Sequence, residues 1–221
     1  MQPPILITGA ARSGTSMVAG IIDMCGAWGG DVCGPTPANR KGQFENRRIV
    51  QTIIKPYLAM QGFDPMGQAP LPNIDRLLPF DNLRQRIEGV MREDGYAGGP
   101  WYWKGAKACL LWPVLHAAFP DAKWVIVRRE PADIVRSCMR TGFMHRRSTS
   151  ESWMQWVCHH EKMFVRMQLA GLQIREVWPR RLFIGDFVEM RNMVQWLGGL
   201  KWDMQAILDF VEPSLWHAKE E

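Results

Sequence analysis

Short apolar runs alternate along this chain with stretches whose apolar residues recur every three or four positions, the two rhythms of strand and helix. Residues 4–8 read as a short buried strand entering a glycine-rich turn. Met17, Val18, Ile21, Ile22 and Cys25 follow at helical spacing, and Ile49, Val50, Ile53, Ile54, Tyr57 and Leu58 mark one face of a second helix. Between them, 26–42 is rich in Gly, Pro and Asn and predicts a loop. Pro65, Pro70, Pro72 and Pro79 predict a long irregular connection over 62–82, of the kind that walls a substrate site. Helices are expected at Leu83–Glu93 and Cys109–Phe119, with a strand at Trp101–Gly105 between them. Lys123–Val127 is the clearest strand, and Pro131 opens a helix at a position where its missing N–H costs nothing. A long helix is expected over Ser150–Ala170, with Trp153, Trp156, His160 and Phe164 on its core side. A last strand is placed at Arg181–Ile184, with Asp186 capping the helix after it. Strands alternating with helices give an α/β class with a mainly parallel sheet.

At 221 residues the chain suffices for one such domain, expected to span 1–221. No apolar run reaches the roughly 18–20 residues of a membrane helix, and Met1-Gln2-Pro3-Pro4 has no basic start of a signal peptide. The five cysteines include no CxxC pair, which predicts reduced thiols and a cytoplasmic protein rather than a disulfide framework or a zinc site. A net charge of +5 fits either a basic surface or an anionic ligand.

The glycine turn brings chemistry into the picture. Gly9-Ala10-Ala11-Arg12-Ser13-Gly14-Thr15-Ser16 keeps the glycine spacing and final hydroxyl of a Walker A loop, but Thr15 stands where that loop has lysine. Strand, turn and helix start aim backbone N–H groups at an anion. The only cation within the turn is Arg12. A nucleoside triphosphatase also needs an acidic residue ending a second strand to hold magnesium; here Lys123–Val127 ends in Arg128-Arg129, which repels a metal and attracts a phosphate. A turn that only packs strand on helix, a degenerate P-loop small-molecule kinase, and a non-catalytic nucleotide- or RNA-binding module stay open on these residues, though no RNA-recognition motif is visible.

The segment Ile7–Ser16 resembles the phosphosulfate loop of sulfotransferases that use 3′-phosphoadenosine-5′-phosphosulfate, where Lys or Arg is followed by Ser-Gly-Thr. Val127-Arg128-Arg129-Glu130-Pro131 followed by Ser137 resembles that family's 3′-phosphate motif, Arg-x-Pro with a serine eight positions after the arginine. Asn39–Arg47 is similar to a Lys-Gly-x-x-Glu segment of the bacterial branch. Lys104-Gly105-Ala106-Lys107 lies where relatives carry Lys-x-Pro-Arg, and Pro213-Ser214-Leu215 resembles a segment near the nucleotide in bacterial members. The likeness extends from about residue 4 to residue 215.

The resemblance implies a three-layer α/β/α fold of the P-loop NTPase kind and transfer of a sulfuryl group to a hydroxyl or amine acceptor, without metal, nucleic acid or membrane. Ala11, Arg12, Ser13, Gly14, Thr15 and Ser16 would hold the donor's 5′ end, and Arg129 and Ser137 its 3′-phosphate. Arg12 would neutralise the departing charge and Glu45 would act as general base; a raised pKa would suit that role. Of the five histidines, His145 is the fallback base. The tryptophans, Trp28 among them, include candidates to stack on adenine. The acceptor's walls are expected from 26–45, 62–82 and 141–152.

Overall fold

In the computed structural model, which describes residues 1–36 and 39–212, four strands form one sheet. They are β1 (Ile5–Thr8), β2 (Tyr102–Lys104), β3 (Lys123–Val127) and β4 (Gln173–Val177). Their order is β2-β1-β3-β4 and every pair is parallel. The register sets Ile7 between Lys104 and Val125, so the strands end together at one edge. That carboxyl edge is where open parallel sheets carry their ligands.

Helices cover both faces, as parallel strands require. Leu6, Trp103, Trp124 and Ile126 face a core shared with α3 (Leu83–Glu93), α4 (Trp112–Ala118) and α6 (Ser150–Leu169). The alternate residues Ile5, Ile7, Tyr102, Val125 and Val127 face α1 (Thr15–Met24), α7 (Val188–Leu197) and α8 (Met204–Phe210). This is the three-layer α/β/α arrangement with a P-loop NTPase-like sheet. A third apolar cluster joins α5 (Pro131–Met139) to α6 through Ile134, Cys138, Trp153 and Val157.

The second predicted helix is two-part. A wide π-helical turn, Ile49–Ile54, runs into α2 (Lys55–Met60). Pro56 has no N–H to give the Thr52 carbonyl one turn back, and the Arg86 guanidinium donates to that oxygen instead, at 2.8 Å. The helix expected over Cys109–Phe119 is likewise divided, into a tight turn at Ala108–Leu110 and α4.

The strand expected at Arg181–Ile184 is not one. Pro179–Ile184 is a 3₁₀ turn closed by Gly185 at φ 78°, and Ile184 is 78% exposed. The fourth strand lies earlier, at Gln173–Val177. It borders the sheet with one paired neighbour, so polar Gln173, Arg175 and Glu176 are tolerated there and the apolar signal fades. Asp186 accepts from the N–H of Val188 at 3.1 Å, at the start of α7 as expected. No helix among the described residues is long and apolar enough to cross a membrane. Pro213-Ser214-Leu215 lies outside the described residues.

Candidate active site

The turn after β1 is shaped by its glycines. A methyl group on Gly9 would lie 2.5 Å from the Val127 carbonyl oxygen and 2.7 Å from Ser13 Oγ, so only glycine fits between β1 and β3. Gly14 has φ 98°, which glycine adopts without strain. Arg12 has φ 74°, where a side chain costs roughly 1–2 kcal/mol, a strain of the kind functional loops hold. Ser13 donates its N–H to the Ala10 carbonyl. Among the described residues nothing accepts from the N–H groups of Gly14, Thr15 and Ser16 at the start of α1. These are the donors a helix start leaves over.

Two guanidiniums meet behind this turn. Arg129 donates through Nη1 to the Arg12 carbonyl at 2.8 Å, and Arg12 donates through Nε to Ser137 Oγ at 2.9 Å. Asp133 stands 3.9 Å from Arg129 and also pairs with Arg136. Burial pushes the pKa of Arg129 down; Asp133 opposes this and the Arg12 charge adds to it. Burial also lowers Arg12. Two half-buried guanidiniums set this close suit an anion, and their planar form suits phosphate oxygens. The neighbouring Arg128 points the other way, to Glu176 at 2.8 Å and Glu161 at 2.5 Å, tying β4 to α6.

A second cation sits at the end of β2. Lys104 is only 5% exposed, and its Nζ reaches Glu45 Oε1 at 2.8 Å and Ser16 Oγ at 3.2 Å. Glu45 is held there by its neighbours in sequence. Its carbonyl accepts from Cys33, and buried Asn46 accepts from the Ile49 N–H while donating to Asp94 at 2.6 Å. Burial pushes the Glu45 carboxyl up, but Lys104, Lys107 and Lys55 outweigh it and hold it below the usual carboxylate range. The reverse holds at Lys107: burial pushes its amine down, Glu45 opposes this, and Lys55 and Lys104 add to it.

These groups open onto a cavity of about 270 Å³, lined by Ala11, Arg12, Thr15, Ser16, Asn39, Gln43, Glu45 and Lys104. The rest of its lining comes from 66–68, from Ala106 and Lys107, from Phe143 and Met144, and from Trp156 and His160 of α6. Gln68 joins these walls. Its Nε2 donates to the Phe143 carbonyl at 2.8 Å, and its Oε1 accepts from the N–H groups of His145 and Arg146 at 3.1 Å each.

A model of the sulfotransferase family matches residues 3–191, and so takes in the turn, Glu45, Lys104, Arg129 and Ser137. The chain belongs to the sulfotransferase family. Its fold is that of solved bacterial sulfotransferases. The sulfotransferase domain of the Synechococcus olefin synthase matches with TM-score 0.57 and 14% identity, over 96% of this chain and 78% of that one. Sulfotransferase STF1 of Mycobacterium tuberculosis matches with TM-score 0.53 and 14% identity, over 95% and 71%. Sulfotransferase STF9 of Mycobacterium avium gives TM-score 0.53 and 14% identity, over 99% and 69%. Among curated proteins none is similar enough in sequence to match.

In this sulfotransferase the predicted residues fall into three groups. Ala11, Arg12, Thr15, Ser16 and Glu45 line the cavity. Arg129 and Ser137 stand behind it and reach it through Arg12. Ser13 Oγ is turned inward against Gly9 and is fully buried, so its hydroxyl does not face the cavity and its N–H is already used. The expectation of a raised pKa at Glu45 is reversed by the lysines. His145 is exposed and does not line the cavity, whereas His160 does. Trp28 packs on Tyr96 and pairs with Trp101, whose carbonyl holds the N–H of Ile5 at the far end of β1; that is the wrong end of the sheet for a nucleotide. Lys104 was not among the expected site residues. A lysine closing a short aromatic strand was the available signal, because strand ends line such sites.

Proposed function

We propose that this sulfotransferase moves a sulfuryl group from 3′-phosphoadenosine-5′-phosphosulfate to a hydroxyl, or an amine, of its acceptor. The observation that carries this is the pair of cationic clusters meeting at one glycine turn: Arg129, Arg12 and Ser137 behind it, Lys104 in front. Two anionic ends on one nucleotide fit two clusters. The fit is supported by a turn too tight at Gly9 for a side chain and by the uncommitted N–H groups of Gly14, Thr15 and Ser16. Ala11 adds backbone at the cavity wall; Ser13 serves the shape of the turn.

When bound, the donor supplies an activated sulfuryl group and a phosphate leaving group. Arg129 and Ser137 would hold its 3′-phosphate, and a buried guanidinium does this bidentately. The N–H groups at the start of α1, the hydroxyls of Thr15 and Ser16, and Lys104 would hold its 5′ end. Arg12 bridges the two clusters. As the acceptor oxygen bonds to sulfur, the bond from sulfur to the bridging oxygen breaks, and Lys104 and the N–H groups would stabilise the charge arriving on that oxygen. Glu45 would take the acceptor's proton. Its depressed pKa keeps it ionised at neutral pH, so it is ready as an acceptor of protons though a weak base. The segments 62–82 and 141–152 would form the acceptor side, within a single domain over 1–221.

The test is calorimetry with 3′,5′-adenosine diphosphate. Binding is expected to be indifferent to magnesium and to weaken about ten- to a hundred-fold in Arg129→Ala, from the loss of a charge-assisted hydrogen bond. Magnesium-dependent ATP binding in its place would point to the kinase reading.

A further inference from the structure

Glu45 sits in a stretch that adds no strand to the sheet, yet its carboxylate meets Lys104 at 2.8 Å. Two arms of that stretch, 31–33 and 43–46, lie side by side. Cys33 donates its N–H to the Glu45 carbonyl, and its own carbonyl accepts from the Gln43 N–H, both at 2.9 Å. The residue before Glu45 is twisted: Phe44 has φ 54°, which residues other than glycine seldom adopt. A twist of this kind persists where neighbours on both sides hold it. One hold is Phe210, whose ring meets that of Phe44 edge-on with centres 5.9 Å apart.

The other hold is Asp94, the residue that ends α3, with a side chain only 3% exposed. Its Oδ2 accepts from the Asp31 N–H at 3.0 Å and from Asn46 Nδ2 at 2.6 Å, and its Oδ1 accepts from Arg48 Nη1 at 2.8 Å. One carboxylate thus grips the first arm at Asp31 and the second at Asn46 and just beyond it. Asn46, next to Glu45, is buried and has its other end fixed too, because its Oδ1 accepts from the Ile49 N–H at 3.0 Å. Gly30 lies over the pair. A methyl group there would stand 2.5 Å from Asn46 Nδ2 and 2.8 Å from Asp94 Oδ2. Burial pushes the Asp94 carboxyl up, but the Asp31 N–H, Asn46 and Arg48 outweigh it and hold it below the usual carboxylate range, so it is charged at neutral pH. A charged acceptor holds its donors more strongly than a neutral one.

We propose that Asp94 is a positioning residue for Glu45: by gripping Asp31, Asn46 and Arg48 it locks both arms, and so fixes the Glu45 carboxylate against Lys104. Asp94 does not line the cavity and acts through Asn46. This rests on the reading of Glu45 as the base of sulfuryl transfer. Three cations lower the Glu45 carboxyl: Lys104, Lys107 and Lys55. Lys104 is the one it hydrogen-bonds, so an unclasped Glu45 loses that contact first.

The experiment titrates the Glu45 carboxyl in the full chain by NMR of labelled carboxyl carbons, with Glu45→Gln identifying its signal. Turnover on a panel of hydroxyl and amine acceptors, and calorimetry with 3′,5′-adenosine diphosphate, run beside it. In Asp94→Ala the Glu45 titration is expected to move up toward the ordinary carboxylate range. The same variant should lower kcat about ten- to a hundred-fold, as a misplacement of about 1 Å does, with nucleotide affinity unchanged. In a Glu45→Gln background Asp94→Ala should cost nothing further, because the two residues act as one unit. Asn46→Asp sets two carboxylates face to face and should act like Asp94→Ala; adding Asp94→Asn restores a donor between them and should return both titration and kcat. That exchange keeps both side-chain volumes, so it carries the test even where Asp94→Ala weakens the fold. An unmoved titration in Asp94→Ala, an equal further loss in the Glu45→Gln background, or no recovery on adding Asp94→Asn to Asn46→Asp overturns the positioning role. A moved titration with unchanged kcat overturns Glu45 as the base. Absence of 3′,5′-adenosine diphosphate binding in the wild-type chain overturns the donor reading beneath it, while the titration still decides the clasp.

Discussion

Arg12, Thr15 and Ser16 are carried by the turn after β1, and Lys104 by the last residue of β2, so the register of three parallel strands delivers the cationic half of the cavity. The apolar half is assembled otherwise. Met66–Gln68 and Phe143–Arg146 belong to two loops some 75 residues apart, clasped by one buried glutamine that spends its amide on backbone groups. The first half is rigid because strands and a helix start leave it no alternative. The second keeps its shape through a few long-range hydrogen bonds, and such a wall changes without disturbing the sheet. Binding loops set on a fixed scaffold have this division as a rule.

Mutations aimed at the two halves should separate cleanly. The largest effect is expected at the Glu45–Lys104 pair. Glu45→Gln should lower kcat by ~10²–10⁴-fold, the usual worth of a general base, while 3′,5′-adenosine diphosphate still binds. Lys104→Met should cost ~10²–10³-fold and also move the acid limb of the kcat/KM profile. With Lys104 present the carboxyl is held below its ordinary value, so activity persists to lower pH than an unpaired carboxylate would allow. Without it less opposes burial, though Lys107 and Lys55 remain, so the carboxyl protonates sooner as pH falls and the limb shifts to higher pH. An unmoved limb in Lys104→Met assigns the proton transfer elsewhere. At the other half, Gln68→Leu should leave nucleotide affinity alone and raise the acceptor KM several-fold. It should also reduce stability by about 1–3 kcal/mol in urea melts, because two N–H groups and a carbonyl lose their partner. Equal losses of donor and acceptor affinity would show that the halves are not separate.

The same division governs what was legible in the sequence. β1, β3 and α3 fall where the apolar rhythm predicts, since each is buried enough to carry it. Arg129 and Ser137, singled out by their likeness to a family motif, both meet Arg12, because a strand end and the following helix fix where they stand. β4 was missed because a bordering strand keeps polar residues, and the apolar Leu182-Phe183-Ile184 drew the reading downstream. At the site, Lys104 needed the β1–β2 register to come within reach of Ser16 and Glu45, which no local pattern encodes. His160 was readable as a core-side residue of α6, but its place in the cavity depends on loops more than ten residues away on either side. The pKa direction at Glu45 followed from three lysines scattered between positions 55 and 107, and burial alone predicted the opposite sign.

On the proposed function, the two cationic clusters serve one doubly anionic sulfuryl donor. The decisive experiment incubates the chain with 3′-phosphoadenosine-5′-phosphosulfate and a panel of hydroxyl and amine acceptors, in buffer stripped of divalent metals. Sulfated acceptor and 3′,5′-adenosine diphosphate are expected in equal amounts, with both reduced together in Arg129→Ala when the donor is below saturation. Nucleotide turnover that requires magnesium and ATP, and no release of 3′,5′-adenosine diphosphate, would contradict it.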